Sequence, residues 1–277
     1  MKHGHLLPIL FLTSAVAVSG CARKHEEVDL SGIHTSAARE TMSSSTVAAT
    51  SEPAATAAET ASNSLNPVGS ATNVSAAVET YKDTSNGSVS IQYPVVSNLS
   101  DADTQKAVNE LLFSNAVSIA ETFPDDETVT LDITCKVVAV DRSRLTAVYK
   151  GTCQIQDGPY PTQVFYTNTV DLKQVKSLGF NDYSDAYTMA GYVMSDDVQF
   201  YQAGSDLVRL LLEHRSAMSI EQYTQMFEQA DFPLSTAEDA SFPESFSYTH
   251  EGVLYFSIPV PHALGDYAIV TFNMDGK

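Results

Sequence analysis

Residues 128–156, TVTLDITCKVVAVDRSRLTAVYKGTCQIQ, decide the fold. Val129, Leu131, Ile133, Cys135 and Val137 form one alternating set, and Leu145, Ala147, Tyr149, Cys153 and Ile155 form a second. Side chains on a strand point to opposite faces in turn, so each set marks one buried face. The intervening DRSR, residues 141–144, predicts a hairpin turn. Both sets reach the core only if the loop holds an odd number of residues, because a one-residue slip turns a strand's buried set outward. With Ser143 at the loop's centre, Cys135 faces Gly151 and Cys153 is its diagonal neighbour. A two-residue shift or a bulge would set the cysteines directly opposite. In an oxidising compartment this closeness predicts a Cys135–Cys153 disulfide, with two buried free thiols as the other outcome.

Working outward, SVSIQYPVV (88–96) alternates as a half-buried strand, and Pro94 marks a strand end or edge. Residues 100–123 read as a core-facing helix, with Ser100 and Asp103 in capping-box spacing and Val108, Leu111, Leu112 and Ile119 at helical intervals. PTQVFYTNTVDL (161–172) is a further strand, and KQVKSLGFNDY (173–183) a turn into a helical region. Residues 205–217 and 219–232 read as two helices, the second opening with Ser219 and Gln222 as a capping box. Residues 245–274 hold two or three strands, with a tight turn at His250-Glu251-Gly252 and a longer loop, PVPHALGD. Strands and helices in separate runs predict an α+β fold, with a mainly antiparallel sheet and packed helices.

The N-terminal segment differs in character. An apolar run over residues 6–18, too short to span a bilayer, follows Lys2, His3 and His5, which is the layout of a signal peptide. It ends in Val18-Ser19-Gly20-Cys21, which resembles the lipobox of bacterial lipoproteins. The resemblance implies cleavage after residue 20 and fatty acyl chains, such as palmitate, carried by Cys21; a secreted protein with an incidental cysteine is the plainer reading. Such chains anchor a protein without a transmembrane helix. Residues 21–86 read as an Ala/Ser/Thr-rich linker too poor in apolar surface to offset its ordering entropy, hence as disordered. The module that follows divides into halves at 87–180 and 181–277. Expected localisation is the cell envelope: the surface of a single-membrane bacterium, or the periplasmic face of the outer membrane where there are two.

Net charge is −19, and residues 87–277 alone carry 26 acidic against 10 basic side chains. Phosphate binding needs basic patches, so nucleic acid is excluded as a partner. An anionic lipid surface would repel this chain, whereas a cationic protein would be steered toward it. Plain solubility is the competing explanation of the acidity.

The order of these pieces resembles the extracytoplasmic domain of RsiV-type anti-sigma factors and the accessory domain of PdaC-type peptidoglycan deacetylases. In that family a hairpin leads to a Gly-Gly-Ala-His-Pro turn and then a strand ending in Asp-Leu. Here Asp157-Gly158-Pro159-Tyr160-Pro161 stands at the turn, Thr167-Asn168-Thr169-Val170-Asp171-Leu172 at the strand end, and Lys176-Ser177-Leu178 with Asn181-Asp182 beyond it. GVLYFSIPVPHALGDYAIVTF is similar to the family's terminal hairpin. The likeness spans residues 88–273, with Tyr160 in place of the family's histidine and Gly158 the one glycine left in the turn. The sigma-binding segment, transmembrane helix and deacetylase domain of those families find no counterpart, so the resemblance implies a sensor or accessory module on a lipid tether. It implies a ligand such as lysozyme or another cationic protein, or alternatively a cell-wall glycan, peptidoglycan included.

No spacing carries chemistry. His214, His250 and His262 follow the linker without a zinc-type pattern; His250 and His262 flank a strand pair and could meet. There is no nucleophile elbow, phosphate loop or calcium loop. No catalytic residue, metal or cofactor is expected, and the protein reads as a binder and not an enzyme. Pro159, Tyr160 and Pro161 are the candidate binding surface: two prolines either present the ring outward at low entropic cost or simply stiffen a turn that packs on the sheet.

Overall fold

A hairpin turn forms at DRSR, where Asp141 Oδ1 accepts from the Ser143 hydroxyl and from the amides of Ser143 and Arg144. The loop is not the odd one expected: Val140 pairs with Leu145 across four residues, and a one-residue bulge between Val137 and Ala139 brings both apolar sets to one face. This computed structural model describes residues 73–124, 127–234 and 241–276, all within one compact unit, Leu65–Lys277. A first sheet runs in spatial order β1 (Ser75–Asp83), β2 (Gly87–Ser97), β3 (Val129–Val140), β4 (Arg144–Ile155), β5 (Thr162–Asp171) and β6 (Lys176–Leu178). Every pairing is antiparallel except β2 with β3, which are joined through helix α1 (Ala102–Val117).

The alternation read from the sequence sets the buried face. Leu131 and Ile133 lie beside Leu145, Ala147, Tyr149 and Tyr166, and α1 lays Val108, Leu112 and Ala116 against the same core. The α1 cap is Asp101, whose carboxylate accepts from Thr104 N, in place of the Ser100–Asp103 box. Asn109 docks the helix on β2 by imitating a strand partner: its side chain accepts from Val96 N and donates to Val96 O. Pro94 is tolerated because β3 pairs only with Gly87 to Ile91, which leaves β2 edge-like beyond that point.

The second sheet, in order β7 (Gln199–Phe200), β10 (Tyr267–Asn273), β9 (Val253–Pro259) and β8 (Ser247–His250), is antiparallel throughout. Glu251 and Gly252, both at positive φ, make the tight β8–β9 turn. One face of this sheet, through Leu254, Phe256, Ile258 and Val270, meets helices α2 (Phe180–Tyr183), α3 (Ala186–Met194), α4 (Ser205–His214) and α5 (Ile220–Glu228) in a second core. The capping box of Ser219 and Gln222 opens α5 as read. The other face sends Tyr248 and Ile269 into the first core. The described chain is thus layered: helix, six-stranded sheet, four-stranded sheet, helices.

Two readings need correction. The linker expected over residues 21–86 ends earlier, because β1 occupies Ser75–Asp83 and pairs with β2 over its whole length. Most of its side chains are exposed; backbone pairing and the edge contact of Tyr81 with Phe113 hold it, and composition registers neither. Residues 1–20, Cys21 and the linker up to 72 lie outside the described residues.

The disulfide is the second correction. Cys135 and Cys153 are free. They share a face, but Cys135 lies opposite Tyr149 and Cys153 opposite Leu131, with a bulge between Val137 and Ala139. The register shifts away from pairing the cysteines, leaving them four residues apart along the ladder, roughly 13 Å at strand rise. That is beyond the reach of a bridge. Burial pushes the Cys135 thiol up to about 12 and raises that of Cys153, so neither is a ready nucleophile.

Candidate functional site

The β4–β5 and β9–β10 loops meet at one edge of the molecule. Asp157, at positive φ, turns the chain after β4, and Pro159 and Pro161 fix the backbone around Tyr160. The Tyr160 ring is 50% exposed. It lies flat on the His262 imidazole, centroids 3.8 Å apart and planes within 10°. His262 Nδ1 is 3.0 Å from Asp266 Oδ1, and Asp266 Oδ2 accepts from Gln163 N at 2.7 Å. One carboxylate therefore orients the imidazole and ties its loop to the start of β5. The result is a preorganised aromatic edge, one ring face covered and the rest open to a partner. Both sequence alternatives describe part of it: the turn is rigid, and Tyr160 packs, but on a loop about a hundred residues away.

The two histidines flanking the strand pair separate. His250 and His262 stand at opposite ends of β9, so the two do not meet. Asp196 pairs with Arg215, whose guanidinium also donates to the carbonyls of Val193 and Ser195. Among the described residues no group of three or more His, Cys, Asp or Glu side chains is placed to hold a metal ion, and no helix is long and apolar enough to cross a membrane.

Asp231 is the site residue that sequence reasoning missed. It is 3% exposed and sits between the sheets. Oδ1 accepts from Ser247 N at 2.6 Å and touches Thr167 Oγ1 at 3.3 Å. Oδ2 accepts from Phe180 N at 2.8 Å and from Ser247 Oγ at 2.5 Å. Thr167 gives its own proton to Ser247 O at 2.6 Å. One carboxyl thereby joins β5, the start of α2 and β8. Burial pushes its pKa up to about 7, against the opposing pull of the Ser247, Phe180 and Thr167 contacts. Nearby, Arg144 Nη1 donates to Thr249 Oγ1, a second link between the sheets. Burial also pushes the Tyr183 phenol up to about 12. In sequence Asp231 is an isolated acid after a helix; only its spatial partners reveal it. Buried, with both oxygens engaged by Ser247, Phe180 and Thr167, it acts as a structural tie.

No family model matches the chain, and no curated protein matches it. Among solved structures, a member of the DUF3298 family from Bacteroides fragilis is similar over 74% of this chain and 92% of its own, at 12% identity and a TM-score of 0.36. A DUF3298 family protein from Pseudomonas aeruginosa is similar over 66% of this chain and 81% of its own, at 8% identity and a TM-score of 0.34. At these values the likenesses carry no argument about function.

Proposed function

We propose that this chain is a cell-envelope lipoprotein, anchored through Cys21, whose two-sheet module captures a cationic protein such as lysozyme at the Tyr160 edge. The observation that carries this reading is the half-exposed Tyr160 ring, held on His262 in a chain of net charge −19. A rigid aromatic anchor loses little entropy on binding, and a field of acidic groups speeds the encounter with a basic partner. The role is binding and not catalysis. Placement is the envelope surface, or the inner leaflet side of an outer membrane.

Titration of the full chain with hen egg-white lysozyme at moderate salt tests it. Saturable binding that weakens about tenfold in Tyr160→Ala is expected, the loss typical of an interface anchor. Absence of binding to lysozyme and to other basic proteins overturns the reading. The anchor is tested separately: Cys21→Ser should move the protein from the detergent phase to the aqueous phase.

A further inference from the structure

The outer strand of a sheet leaves a row of unpaired backbone N–H and C=O groups, which proteins blunt by shortness, bulges, proline or charge. The two sheets have four such edges. Three are short: β6 has three residues, β7 two and β8 four. The fourth, β1, has nine. It pairs with β2 over all nine positions without a bulge and contains no proline. Among the described residues no strand lies on its other side, and no turn or loop backbone bonds to it there.

The side chains of β1 do little to guard this edge. Tyr81 and Tyr93 turn toward Phe113 of α1. Val78 and Thr80, an odd number of residues from Tyr81, therefore lie on the face away from the helix. Both are exposed, Val78 to 44%. The acids are held by the sheet itself: Glu79 accepts from the Tyr93 hydroxyl at 3.1 Å, and Asp83 from the Tyr81 hydroxyl at 3.3 Å. Charge is also uneven along the strand. Ser75–Tyr81 carries Glu79 alone, whereas Lys82 and Asp83 close the far end.

That distribution selects how a second copy can pair. Successive residues of a strand turn their backbone groups alternately to its two sides, so in an antiparallel pair outward-facing residues oppose one another. In two copies of one strand, some residue must then lie opposite its own copy, on the two-fold axis. Centred on Glu79, two carboxylates would face each other. Centred on Tyr81, Glu79 would face Asp83. Like charges directly opposite are unfavourable. Centred on Thr80, the exposed Val78 would face charged Lys82. Centred on Val78, the valine covers its own copy, Ala76 faces Thr80, Ala77 faces Glu79, and no like charges are opposed.

We propose that β1 is a self-association edge, which pairs antiparallel with β1 of a second copy about Val78 and joins two six-stranded sheets into one. It stands at the end of the sheet opposite β5 and β6, so the pair leaves a Tyr160 edge open in each copy. Two such edges give avidity toward a partner that reaches both, but the pairing does not rest on that reading. The contact spans only Ser75–Tyr81 and buries little area, so association is weak; like net charge makes it tighten with salt.

Sedimentation equilibrium of the full chain in neutral detergent tests it. A monomer–dimer equilibrium is expected, weakened about tenfold in Val78→Lys, which sets two ammonium groups opposite each other. Val78→Ile and Tyr160→Ala should keep the dimer, and thermal melting of dilute protein should be unchanged in Val78→Lys. Mild oxidation should cross-link Val78→Cys, whose copies stand directly opposite and within disulfide reach. Lys82→Cys, whose copies lie far apart along the ladder, should stay uncross-linked. A monomer throughout overturns the proposal and leaves the edge to a strand of another protein. A dimer indifferent to Val78→Lys, or cross-linked equally well through Lys82→Cys, overturns it too.

Discussion

Two buried polar networks lie on opposite sides of β5, served by neighbouring residues. Asn168 points toward α1, where Asn115 Nδ2 donates to Asn168 Oδ1 at 3.1 Å and to Ser177 Oγ at 3.0 Å. Thr167 points the other way, into the Asp231 cluster between the sheets. The first network is built from neutral amides and a hydroxyl, each able to donate and accept at any ordinary pH. The second is centred on a carboxyl that titrates. Helix and sheet are thus joined by a fixed polar clasp, whereas sheet and sheet are joined by one whose charge depends on its surroundings.

The largest effect should come from breaking the sheet–sheet clasp. Asp231→Ala leaves the amides of Phe180 and Ser247 buried without an acceptor, and urea unfolding should lose about 4 kcal/mol, at 1–3 kcal/mol per unsatisfied group. Asp231 also makes a pH prediction. Its folded pKa, about 7, lies above the ordinary 3.8, so folding favours the protonated form. Its stabilising contribution is therefore full below 3.8 and is lost as pH rises through 7. Measured against the non-titrating Asp231→Asn, wild-type stability should fall by an amount on the order of 4 kcal/mol between pH 4 and 7.5. A flat difference across that range would show that the two clasps do not differ as described.

Asn115→Ala tests the neutral clasp. It should cost about 2 kcal/mol by stranding Asn168 and Ser177, with no change in pH profile. Smaller still, stability should agree within about 0.5 kcal/mol with and without reductant, because the thiols are unbridged; a lower urea midpoint under reduction would contradict the observed register. Tyr160→Ala, at an exposed loop, should change stability by no more than about 0.5 kcal/mol.

These regions were unequally legible. The β3–β4 hairpin, the Ser219 capping box and the Glu251-Gly252 turn are local: their signals lie within a few residues, and the structure follows them. The strand β1 was hidden because an edge strand needs only backbone partners, and its Ala, Ser and Glu side chains look like a linker. Helix α3 carries Met189, Ala190 and Val193 in a segment with a Gly at 191, and its periodicity is too short to stand out. The cysteine offset depends on a bulge, which a pattern of alternation cannot place. Asp231 and the Tyr160–His262 pair depend on contacts across 16 to 102 residues, for which one sequence holds no signal.

The parallel pairing of β2 with β3 has a consequence for assembly. Hairpin β1–β2 and meander β3–β4–β5–β6 each close through short turns, but the seam between them forms only after the chain has travelled through α1. Forming it means closing a loop before any long-range contact repays the entropy, which makes it the slow step of the sheet. Helix α1, clamped on β2 by Asn109, would then belong to the folding nucleus. Val108→Ala should accordingly slow refolding more than it speeds unfolding, and a chevron with only its unfolding arm displaced would move the nucleus elsewhere.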